Sequence, residues 1–309
     1  MQKSKVKGGF SGPPALVFLI SVLMIALMFI DFGGLPDMIP AYWLVIILHI
    51  VIFGVPALAY CFLRGKRFRE ELSFGRMKRS TFRLLPLATA LLILQSCILK
   101  FGVFYFGYNY TAYTLYGSSF SVSASSAGEW ILMVLSIAVV PAVTEELIFR
   151  LMIFSDYIRS CGFWCSAIAS SLLFSFIHFD LAQFLIYFLD GLLLCWIVFL
   201  TGSVIPSIIA HTLYNVFVMF LEKYIWLFSS NPDSELLFWL IMIALWLLLL
   251  FFFFGRAEKI TARRAEDFDS APPRPEKDKL PAIYFGVFTS KPMLCETAVF
   301  IIVSIISAI

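Results

Sequence analysis

The stretch WILMVLSIAVVPAVTEELIFR, from Trp130 to Arg150, is an apolar run that ends in two glutamates and an arginine. A run of about 20 mostly apolar residues is what a transmembrane helix needs. A charged side chain near the bilayer centre costs roughly 2.5 to 3.5 kcal/mol on insertion scales, so Glu145, Glu146 and Arg150 together cost about 8 to 10 before any pairing. Intramembrane carboxylates therefore mark a functional site by default.

The same character extends outward. The chain has 309 residues, of which 61% are hydrophobic and only 14% charged, and its mean hydropathy is +0.92. That composition excludes an ordinary soluble domain. Apolar runs predict spans near 13–31, 40–63, 84–104, 129–152, 162–180, 182–200, 204–221 and 235–254. The expected fold class is thus all-α, a polytopic membrane helical bundle of about eight transmembrane helices. A further apolar stretch, Met293 to Ile309, is interrupted by Glu296 and is left open between a ninth helix and an interfacial segment.

Charge along the chain sets an expected orientation. Arg64, Lys66, Arg67, Arg69, Arg76, Lys78, Arg79 and Arg83 crowd between the second and third spans, whereas the first connection carries only Asp31 and Asp37. The positive-inside rule places the 64–83 loop in the cytoplasm, and with it the N-terminus (Lys3, Lys5, Lys7) and the tail (Arg256, Lys259, Arg263, Arg264). The basic start has no small-residue cleavage pattern after its apolar run, so a retained helix is expected, not a cleaved signal peptide. The six cysteines, 61, 97, 161, 165, 195 and 295, fall in or beside apolar runs and read as small hydrophobes rather than a disulfide framework.

Four regions follow: N-terminal helices and an external loop over 1–128, a core over 129–221, a last full span within 222–254, and a charged cytoplasmic tail with a short apolar end over 255–309. The Pro272-Pro273-Arg274-Pro275 run makes 255–292 read as an extended linker. Everything polar and deep lies between Glu145 and Asn215.

Helical spacing sorts that core. Residues four apart share a face, so Glu146 and Arg150 can pair, while Glu145 is turned about 100° away and is free to act as a general base. Pro141, four residues before Glu145, kinks or starts its helix. Then come Phe174-Ser175-Phe176-Ile177-His178 and His211-Thr212-Leu213-Tyr214-Asn215. His211 and Asn215 share a face and can both point at one bound group, as a developing oxyanion requires. Singly, each motif has a structural alternative: a hydrogen-bonded core histidine, or an interhelical Glu–Arg latch.

Jointly, Glu-Glu-x-x-x-Arg, Phe-x-x-x-His and His-x-x-x-Asn on successive spans resemble the CAAX prenyl endopeptidase and bacteriocin-processing family of intramembrane proteases, also called the Abi family. The resemblance covers roughly 129–221, including the Thr201-Gly202-Ser203 turn. It implies a membrane bundle that hydrolyses a peptide bond, with Glu145 and His178 activating water, His211 and Asn215 stabilising the oxyanion, and Glu146 and Arg150 holding the site together. No cofactor is firmly implied. The family is commonly labelled metallopeptidase, and Glu145, His178 and His211 are the candidate ligands of a zinc ion; a metal-free, glutamate-activated water is the rival reading, since His-Glu-x-x-His is absent. Implied partners are membrane lipids and a membrane-associated protein or peptide, prenyl-CAAX-like among the options, with no nucleic acid. Short loops and compact size make a bacterial cell membrane the expected location.

A non-catalytic scaffold or immunity and regulatory protein retaining the protease fold is the alternative reading, and a proton-coupled transporter a third. Asp190 is expected to make a capping or interhelical hydrogen bond more than to line a cavity. Asp156 and Arg159 read as a cytoplasmic loop, and His49 as a packed histidine. Straight helices put His178 and His211 at different depths, so either 150–162 is helical and shifts the next span or helices are tilted and broken; the former is expected as part of the answer.

Overall fold

The computed structural model describes residues 10–30, 39–65, 82–105, 125–229, 233–266 and 276–308, and among them there is helix and no strand. The basic 66–81 stretch, most of the Tyr- and Ser-rich loop after the third span, and the proline run at 272–275 lie outside the described residues.

Helix α1 (Gly12–Met28) opens on prolines, whose fixed φ and missing N–H suit a first turn. Helix α2 runs Ala41–Arg64 through a π turn at Ile50–Gly54, and α3 is Leu84–Tyr105. Helix α4, Ala127–Phe154, begins with a capping box: Ser126 accepts from the Glu129 amide, and the Glu129 carboxylate accepts from the Ser126 amide. Two π turns interrupt it, Leu135–Val139 and Leu147–Phe154. Helix α5 (Ser155–Phe176) breaks at Gly162, whose φ of 74° and ψ of 176° only glycine adopts without strain. Helices α6 (Phe184–Thr201) and α7 (Ile205–Phe220) are joined by a tight turn in which Gly202 takes the left-handed conformation. Then follow α8 (Glu222–Ser229), α9 (Glu235–Glu266), α10 (Leu280–Phe288) and α11 (Lys291–Ala308).

The all-α polytopic membrane class holds, and the helix count is coarser than the expected eight. Five helices are long and apolar enough to cross a membrane, up to seven if the bent pairs α7–α8 and α10–α11 each make one span. Three features account for the five, the first being that α7, with 16 residues, counts only together with α8. Expected spans 129–152 and 162–180 form one helical run of 50 residues from Ala127 to Phe176, and α1 is only 17 residues long. The segment 150–162 is helical, as the depth mismatch required. At Gly162 the chain turns back, and the Ser170 hydroxyl donates to the Phe149 carbonyl at 2.7 Å, which sets the second half of α5 against the π turn of α4.

The linker expected over 255–292 needs correction. Helix α9 runs on to Glu266, and residues 277–288 are helical. Arg263 lies in the last turn of this helix, where a cation favours the dipole, and no glycine or proline interrupts 256–266. Asp156 also departs from the loop reading: it lies in the first turn of α5, paired with Arg64 and accepting from the Tyr60 hydroxyl.

Helices α4, α5, α6 and α7 surround the polar core, with α3 laid across α6, α7 and α9. One apolar cluster joins α1, α2, α4 and α5 with α10 and α11, and another joins α3, α6, α7 and α9. The apolar surface is turned outward on α9, where Leu236, Leu237 and Phe251 are exposed, as lipid contact requires. His49 is buried and stacked on Phe53 at 5.2 Å. Helices α1 and α11 are tied by Ser21, whose hydroxyl donates 2.7 Å to the buried Glu296 carboxylate.

Candidate active site

Glu146 and Arg150 are both fully buried. Arg150 Nη1 stands 2.8 Å from Glu146 Oε1 as an i,i+4 ion pair, off the line of a true hydrogen bond. The guanidinium also lies 4.4 Å from the Phe174 ring centre, a cation–π contact, and reaches the Gly191 carbonyl at 3.4 Å. Arg150 thus ties α4, α5 and α6 together.

The same carboxylate oxygen organises α7. His211 Nδ1 is 3.0 Å from Glu146 Oε1, and because a carboxylate paired with arginine only accepts, Nδ1 carries the hydrogen. That leaves Nε2 facing Glu145, whose Oε2 is 3.8 Å away. Glu145 is the second carboxylate of the pair, and its different helical angle sends it to the cavity while Glu146 stays buried. Arg150, Glu146, His211 and Glu145 form a chain of charged and titratable groups across α4 and α7.

His178 follows α5 at a turn. Its Nδ1 is 2.8 Å from the Phe174 carbonyl, and a carbonyl cannot donate, so Nδ1–H is the donor and the neutral ring keeps its lone pair on Nε2. Phe174 meets both imidazoles edge-on, at 5.0 Å from His178 and 5.9 Å from His211. Asn215 donates from Nδ2 to the Ala138 carbonyl at 3.3 Å, within the first π turn of α4, and its side chain lines the cavity.

Glu145, His178, His211 and Asn215 line one cavity of about 100 Å³, walled by Phe174, Leu92 and Leu194. A water needs roughly 10 to 15 Å³ of such space, so several fit. All six residues expected to form the site are brought together, four on the cavity and Glu146 and Arg150 behind it. The depth problem of straight helices is resolved by the turn at His178 and the break at Gly162.

The sequence reading did not find Tyr187 or Tyr214 on this cavity, and it weighed Asp190 toward a hydrogen bond. Asp190 does both: it lines the cavity and accepts from Gln95 of α3 at 2.8 Å. Tyr187 stacks on His178 at 3.7 Å between ring centres, and Tyr214 shares a 2.7 Å hydrogen bond with Ser96. Tyr187 lies three residues before Asp190, so helical spacing alone carried the signal that the two share a face.

A catalytic zinc would need its donors to converge on one point. Among the described residues, no three His, Cys, Asp or Glu side chains gather closely enough to hold a metal ion. Glu145, His178 and His211 share a cavity and do not fit as a ligand set in this arrangement.

Residues 127–217 match the family described as type II CAAX prenyl endopeptidase Rce1-like, and this stretch contains every motif residue above. Among curated proteins, a candidate membrane peptidase, YdiL of Bacillus subtilis (strain 168), is 30% identical over 91 residues, 29% of this chain and 37% of that protein. The chain therefore spans little more than a third of the curated relative it matches. No solved structure matches.

Proposed function

We propose, from the premise that residues 127–217 are a module of the Rce1-like type II CAAX prenyl endopeptidase family, that this multi-pass membrane protein is an endopeptidase acting through glutamate-activated water. The observation that carries the reading is the 3.8 Å approach of Glu145 to His211 on the cavity that also holds His178 and Asn215.

A water in the cavity gives a proton to Glu145 while the His178 Nε2 lone pair orients it. The oxygen that develops negative charge faces the Asn215 amide and His211 Nε2, which becomes a donor when it takes the proton held by Glu145. Glu146 fixes the His211 ring through Nδ1 and is itself fixed by Arg150, the logic by which a carboxylate orients a catalytic imidazole. The substrate is a membrane-associated protein or peptide, with a prenylated CAAX-like terminus among the forms the family suggests. The module's bacterial relative supports a bacterial cell membrane as its location.

Comparing peptide termini in membranes that carry wild-type chain or Glu145→Gln tests this. A product present with wild type and reduced about 100-fold or more in the variant, at equal protein abundance, is expected. Identical termini would favour a non-catalytic scaffold. Product formation that is abolished by a chelator and restored by zinc would replace the glutamate-activated water with a metal site.

A further inference from the structure

The cavity holds a second carboxyl that the reaction above leaves unused. Asp190, on α6, is 5% exposed and lines the same space as Glu145 and His211. Its Oδ1 accepts from the Gln95 amide, and among the described residues it has no ion-pair partner. An ionised carboxylate whose one hydrogen-bond donor is neutral is costly to bury, so this carboxyl can carry a proton on the cavity it lines. Gln95 belongs to α3, outside residues 127–217 that match the family.

We infer that Asp190, oriented by Gln95, protonates the nitrogen that leaves when the peptide bond breaks. The inference rests on the peptidase reading. Water oxygen bonds to the carbonyl carbon as one water proton passes to Glu145. The C–N bond then breaks with its electron pair going to nitrogen, which takes the Asp190 proton. The products are a carboxylic acid and an amine, with Asp190 ionised and the water proton returned from His211 to Glu145 as the oxyanion collapses; a proton passing from Glu145 to Asp190 through cavity water restores both. Two carboxyls with separate roles thus divide the work of base and acid.

An alkoxide leaves without prior protonation, whereas an amide nitrogen does not. The test uses a peptide spanning the cleavage site cut by the wild-type protein, synthesised with either an amide or an ester at the scissile bond. Asp190→Asn is expected to lower kcat on the amide about 100-fold with KM unchanged, and to leave the ester nearly untouched. Glu145→Gln is expected to abolish both. Equal losses on amide and ester, or no loss on either, would overturn the assignment while leaving the peptidase reading intact. Glu145→Gln that cuts the amide as fast as wild type would overturn both. If Asp190→Asn does not accumulate, Gln95→Met carries the same comparison: a loss confined to the amide supports the assignment, and an equal loss on both overturns it.

Discussion

Arg150 has no access to solvent, and its charge is tolerated because Glu146, the Phe174 ring and the Gly191 carbonyl surround it. Removing one member of a buried pair leaves the other uncompensated, at about 3 to 5 kcal/mol. Arg150→Met should therefore lower the thermal unfolding midpoint of the detergent-purified protein sharply, even though methionine fits the volume. An unchanged midpoint would mean that Glu146 finds another partner. The Glu146–Arg150 pair was legible in the sequence because helical spacing alone determines it. The bond from His211 to the same carboxylate was not, since the partners are 65 residues apart and meet only through tertiary packing. The hydrogen bond expected of Asp190 is present, but its partner Gln95, 95 residues away, escaped for the same reason.

Between helices, the site depends on close approach. A Cβ added at Gly191 would stand 2.9 Å from Ser171 Cβ and 3.2 Å from its Cα, so α5 and α6 would have to part. Gly191→Ala is expected to cost about 1 to 3 kcal/mol and to disturb the carbonyl that receives Arg150. Gly128→Ala, with nothing within 4 Å of its added methyl, is the control and should be neutral or slightly stabilising; a scan of Tm for the two variants checks both. The helix over 150–162 was readable from the depth conflict between His178 and His211, and the turn at Gly202 from the family resemblance. The three π turns were not readable, because a one-residue widening of a helix answers to packing and leaves no mark on hydrophobic periodicity.

At the scale of the whole molecule, burial is inverted relative to a soluble protein: leucines and phenylalanines face outward on α9 while an arginine and two glutamates lie inside. Composition made that class plain at once. Orientation is a matter of charge asymmetry, and it yields its own prediction. With Cys295, which is exposed, changed to serine, a cysteine introduced by Arg263→Cys at the end of α9 should react with an impermeant thiol reagent only after the cells are opened. Labelling of intact cells would reverse the topology.

Ser21 and Glu296 are 275 residues apart in the chain, and that separation has a consequence in time. While the protein is being made, α1 enters the bilayer long before the residue that secures it exists, and the helices that build the cavity are all synthesised in between. The core helices can thus assemble while α1 still lacks its bond to α11, and Glu296 can settle in an apolar setting only where Ser21 is already waiting. A chain interrupted before α11 would keep its first helix packed on α2, α4 and α5 but without the Ser21–Glu296 bond.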